Sequence, residues 1–118
     1  MAHSIQIATI HVGALNNGLR PGFKIPSGYG GITVLAAQIF QAAAGTAAFN
    51  LVDLGTAGTA VSGTIATLGS AVFVANTPQD LTVSTAYVAE GRYVGVEETN
   101  VGTGNAVTEC YVEFLNAK

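Results

Sequence analysis

Glycine and proline placement constrains this chain more than any other feature. Pro21, Pro26, Pro78 and 15 glycines divide the 118 residues into short segments. Inside a helix, Pro costs about 3 kcal/mol and Gly about 1 kcal/mol relative to Ala. The intervening segments are rich in Val, Ile, Thr, Phe and Tyr, side chains suited to a pleated, half-buried surface. The chain therefore reads as short strands.

Ser4–Leu15 reads as the first strand. Its apolar frame shifts from Ile5 and Ile7 to Ile10 and Val12, which predicts a bulge near Ala8–Thr9. Asn16–Gly31 follows, a long Gly/Pro-rich stretch holding the tight-turn pair Asn17-Gly18, and it reads as a loop or arm. Ile32–Ala43 and Ala47–Leu54 are the next strands, joined by a short hairpin-type loop at Ala44–Thr46. Both carry bulk on both pleat faces: Val34 and Phe40 against Leu35 and Ile39, then Phe49 and Leu51 against Val52 and Leu54. A strand with one wet face alternates, so these need cover on both sides, from the domain or from a neighbour.

Gly55–Gly69 reads as a loop with one short strand, and Ser70–Ala75 as another. Leu81–Ser84 and Ala86–Ala89 lead to a turn at Glu90-Gly91. Arg92–Glu98 and Val107–Leu115 read as a C-terminal hairpin turned by Asn100–Asn105. There Val94 and Val96 oppose Tyr93 and Glu97, and Cys110, Val112 and Phe114 oppose Glu109, Tyr111 and Glu113. Seven to nine short, mainly antiparallel strands predict an all-β, single-domain β-sandwich over 1–118, jelly-roll-like.

Charge narrows the partners. Between Lys24 and Glu90 only Asp53 and Asp80 are charged, and charged residues make up 9% of the chain, against about 25% in an ordinary domain. Such a surface repels its neighbours weakly, which favours assembly. Five of the seven acids lie in the C-terminal hairpin and the Glu90-Gly91 turn that leads into it, so the hairpin is expected to face solvent and the neutral window to face partners. A net charge of −3 with four scattered cations argues against nucleic acid. No apolar run approaches the roughly 20 residues of a membrane helix, and no secretory signal is visible in residues 1–20.

No chemical grouping emerges. His3 and His11 leave a zinc sphere unfilled. Cys110 is the single cysteine and alternates with Val112 and Phe114, the pattern of a buried small hydrophobe. Glu97 and Glu98 point to opposite strand faces, and Glu109 and Glu113 lie about 13 Å apart along a strand. Ser27–Gly31 and Gly55–Gly58 lack the spacing of a phosphate loop. Asp53 and Asp80 come from no Asp-rich calcium loop. The expectation is no catalytic, cofactor or metal site.

The segments "NLVDLGTAGTAVSGTIA", "PQDLTVSTAYVAEGRYVGVEETNVGTGNA" and "VTECYVEFL", within residues 47–115, resemble the small β-sandwich decoration or cement proteins of tailed-bacteriophage heads. The resemblance lies in the order of segments, which runs from a strand through an "EGRYVGV"-like strand and a Gly/Asn turn to a terminal strand. It implies a non-enzymatic viral structural protein, often trimeric, that is made in the host cytoplasm and braces the capsid from outside. The expected partners are the major capsid protein and copies of itself. The expected contact residues are Arg20, Phe23, Lys24 and Tyr29, two cations and two aromatics concentrated in the 16–31 stretch. The alternative is a receptor- or glycan-binding module of a fibre, spike or surface appendage, with Tyr87, Tyr93 and Tyr111 as its aromatic platform.

Overall fold

The computed structural model describes residues 5–13, 18–41, 44–73, 77–100 and 108–117. They form nine strands: β1 (Gln6–His11), β2 (Leu19–Lys24), β3 (Ile32–Gln41), β4 (Gly45–Asp53), β5 (Gly63–Phe73), β6 (Gln79–Val83), β7 (Tyr87–Val88), β8 (Tyr93–Asn100) and β9 (Thr108–Asn116). Every pairing is antiparallel, in the order β1-β9-β3-β6-β5-β4-β8-β2, with β7 set against β3.

That order is a rolled-up hairpin. The pairs β1–β9, β2–β8, β3–β6 and β4–β5 nest inside one another, and β3–β9 with β4–β8 join them across the roll. Two four-stranded layers result, β1-β9-β3-β6 and β2-β8-β4-β5, the all-β jelly-roll sandwich expected from the strand pattern. Strand β6 belongs to both layers. Its residues Gln79–Leu81 pair with β3, whereas Thr82 and Val83 pair with β5. On the opposite side β1 and β2 meet without a ladder. There Ile10 packs against Gly22, where a Cβ would come within 2.6 Å of it, and Arg20 Nε donates to Val12 O at 3.1 Å.

Local pattern identifies strands better than it pairs them. The C-terminal hairpin is not formed: β8 lies in one layer beside β2 and β4, and β9 in the other beside β1 and β3. Likewise β3 and β4 occupy opposite layers instead of making a hairpin through Ala44–Thr46, and β4 already begins at Gly45. Alternation fixes which face of a strand is apolar; it carries no information on which distant strand will cover it. The short strand expected within Gly55–Gly69 and the separate strand expected over Ser70–Ala75 are one continuous strand, Gly63–Phe73, as far as the described residues run. Ala66 of this strand lies opposite Leu51 of β4, and Leu68 opposite Phe49.

The 16–31 stretch is not a free arm either. Leu19–Lys24 is the edge strand β2, paired with β8 and bulged between Pro21 and Phe23. An edge strand tolerates Pro21, which has no N–H to give. Of the predicted Asn17-Gly18 turn, Asn17 lies outside the described residues.

The core joins the two layers through Ile10, Ile32, Ile39, Phe49, Leu51, Ile65, Val94, Val96, Val112 and Phe114. Burying one such side chain contributes roughly 1.5–3 kcal/mol. Cys110 is buried among them, and burial pushes its thiol up to about 12. Glu98, expected at the surface with the other acids, is only 4% exposed. It shares the inward side of β8 with Val94 and Val96 and pairs across to Phe49. Gln41, at the inward end of β3, is 1% exposed and its Nε2 has no hydrogen-bond partner among the described residues.

Candidate interaction surface

The two outward faces of the sandwich are built differently. Sheet register places Ile7 of β1 opposite Glu113 of β9, which lies opposite Ala36 of β3. The next row reads Thr9, Tyr111, Gln38, Asp80, and the row beyond it His11, Glu109, Phe40. Ile7 is 67% exposed and Leu35 is 42% exposed. Phe40 and Tyr111 are half-buried beside them, ring centroids 5.6 Å apart. This first face is therefore an apolar and aromatic strip crossed by three carboxylates.

Those apolar residues explain two sequence signals. The frame shift in β1 is not a bulge, because register with β9 runs unbroken from Gln6–Phe114 to His11–Glu109. Ile5 and Ile7 simply point outward, and Ile10 points in. The bulge sits instead in β3, between Val34 and Ala36. Leu35 is exposed at this bulge, and Ala36 beyond it lines a hollow of about 50 Å³ together with Ala37, Gln38, Tyr111 and Glu113.

The second face is mainly polar and tied by its own hydrogen bonds, although Val72 of β5 is 71% exposed there. Asn50 Nδ2 donates to Glu97 Oε1 at 3.3 Å, and Thr67 Oγ1 donates to Asn50 Oδ1 at 2.6 Å. Lower on that face Val52 and Leu54 are buried outside the main core. The two-sided apolarity of β4 is thus met within the domain, helped by register shifts at Ala47/Phe49 and Leu51/Val52. Gly95 lets the strands close here: a Cβ would meet Arg20 O at 2.5 Å and Leu54 Cδ1 at 2.7 Å.

One end of the roll is tied by ionic and backbone contacts. Arg92 Nε donates to both Asp53 oxygens, at 3.0 and 2.9 Å, and its Nη2 donates to Ser62 Oγ at 2.8 Å. Asp53 Oδ1 also accepts from Gly55 N, and Glu90 Oε2 accepts from Gly28 N. The Gly-rich turns at 27–31 and 55–58 are thereby engaged by the protein's own carboxylates. Asp80 accepts from Gln38 Nε2 at 2.8 Å.

The four residues expected to make a contact lobe are dispersed in role. Phe23 stacks on Phe114 at 5.8 Å, and Tyr29 packs against the core. Arg20 and Lys24 are exposed on β2, the first bound to Val12 O and the second 5.7 Å over the Tyr93 ring. The tyrosines of the glycan alternative also separate. Tyr111 is on the first face, Tyr93 is on a strand of the other layer, and Tyr87 donates to Gly30 O in β7 at the edge of β3. His11 lies 3.8 Å from Glu109, while His3 is outside the described residues. Among the described residues no three His, Cys, Asp or Glu side chains gather as a metal site.

No protein-family model matches the chain, and no curated protein matches it significantly.

Proposed function

We propose that this chain is a non-enzymatic structural protein that binds the outer surface of a tailed-bacteriophage capsid and braces its lattice, together with copies of itself. The carrying observation is the difference between the two outward faces. One is mainly polar, with its own hydrogen bonds, a small second core and Val72 exposed on β5; the other leaves Ile7, Leu35, Phe40 and Tyr111 in a strip. Contiguous exposed apolar area on a small domain commonly marks a protein contact. The jelly roll is an architecture used by viral capsid proteins among others, and that support is by analogy of fold. The buried Cys110, with its thiol pushed up to about 12, offers no thiolate for catalysis.

A cement protein needs surface, not reactive groups. Modest contacts repeated over one particle hold it firmly through avidity. The site of action on this reading is the virion exterior, after synthesis in the host cytoplasm. The test is to mix purified protein with expanded, undecorated capsids and image the particles by cryo-EM. Stoichiometric density at lattice positions is expected. A bare shell would overturn the reading and leave the fibre- or spike-module alternative, which a glycan array would then examine.

A further inference from the structure

We propose that the hollow between β3 and β9 receives an arginine side chain of the protein on which this chain docks. The inference deepens the docking reading above, and rests on it for the identity of the arginine's owner.

Size comes first. The hollow holds about 50 Å³, far below the roughly 300 Å³ at which small-molecule sites begin. It suits the end of a side chain. It is lined by Ala36 and Ala37, next to the β3 bulge, and by Gln38, Tyr111 and Glu113.

Charge sets the sign of the occupant. Glu113 is exposed and makes no ion pair among the described residues. Asp80 and Glu109 share its face, where the one described group able to carry positive charge is His11, already beside Glu109. A planar guanidinium fits better than an ammonium: it forks onto a carboxylate, stacks on a ring and is weakly hydrated. Ile7 and Leu35 beside the hollow suit the aliphatic stem.

A second copy of this chain fits poorly. A two-fold contact through this face would set its carboxylates against one another. Of the described arginines, Arg92 is engaged by Asp53 and Ser62, and Arg20, which gives its Nε to Val12 O, lies on β2 in the other layer, away from this face.

The test uses the full ¹⁵N-labelled chain, titrated with N-acetyl-arginine methylamide and with its neutral citrulline isostere. Amide shifts should cluster at Ala36, Gln38, Tyr111 and Glu113, with citrulline binding at least about tenfold weaker. E113Q, an isosteric change at an exposed position, should abolish the difference between the two ligands. Shifts elsewhere, equal binding of citrulline, or an unchanged preference in E113Q would overturn the proposal. So would a sedimentation-detected dimer that E113Q strengthens, since a second copy would then own the hollow. Undecorated capsids that retain E113Q as firmly as the parent chain would overturn the assignment of the arginine to the docking partner. Capsids that bind neither protein would sink the docking reading alone, because the titration involves no capsid.

Discussion

The β1-β9-β3 face and the β2-β8-β4-β5 face come from the same charge-poor chain, yet they solve exposure in opposite ways. On the second, Glu97, Asn50 and Thr67 satisfy one another, and Val52 and Leu54 are buried where Gly95 lets the backbones close. On the first, isoleucine and leucine face outward beside two half-buried rings, and Glu113 has no ion-pair partner among the described residues. A low content of charge therefore does not by itself mark an interface. What distinguishes the faces is how many apolar and aromatic side chains lie together uncovered: Ile7 and Leu35 beside two rings on the first, Val72 of β5 on the second.

The largest expected effect is on the covered side. Gly95→Ala drives a methyl against Arg20 O and Leu54, and should cost about 2–3 kcal/mol in chemical denaturation. A change below about 0.5 kcal/mol would mean that this side is not closely packed.

The shared core beneath both faces responds to alkali through Cys110. Its folded pKa, about 12, lies above the ordinary 9.0 because burial disfavours the thiolate. The unfolded chain therefore loses this proton first. Its contribution is complete below pH 9 and is lost as pH rises from 9 toward 12. Cys110→Ala should flatten that part of the stability profile, and native Cys110 should resist thiol reagents at pH 8 while unfolded protein reacts.

A smaller loss is expected from the polar row. Asn50→Ala removes two partly exposed hydrogen bonds and should cost about 1 kcal/mol in thermal or urea unfolding. On the open face, Leu35→Glu and Ile7→Glu should move stability by no more than about 0.5 kcal/mol, because neither side chain is buried. A larger destabilisation in either would show that the strip packs against its own chain.

Much of this fold is legible in the residues, but in pieces. The alternation of Cys110, Val112 and Phe114 against Glu109, Tyr111 and Glu113 assigns both sides of β9 correctly. The same rule places Glu98 with Val94 and Val96, although acidity suggests solvent. Pairing is not legible, since jelly-roll neighbours are distant in sequence and a β8–β9 hairpin is the natural local expectation. The open face leaves a signal in Ile5, Ile7 and Leu35, but the same apolar excess fits a bulge or two-sided burial equally well. Only the register between β1 and β9 separates these cases. Phe23 and Tyr29 show the reverse problem: aromatics in a Gly/Pro-rich stretch suggest a contact lobe, whereas here they pack on the core.

The most direct measurement compares both faces in one capsid-binding assay. Undecorated expanded capsids are sedimented with the parent chain, with an I7E/L35E double variant and with T67E, each first shown to be folded by its unfolding transition. Loss of cosedimentation for I7E/L35E, with T67E retained like the parent, is the predicted result. Retention of I7E/L35E together with loss of T67E would contradict the assignment of the open face as the partner-binding face.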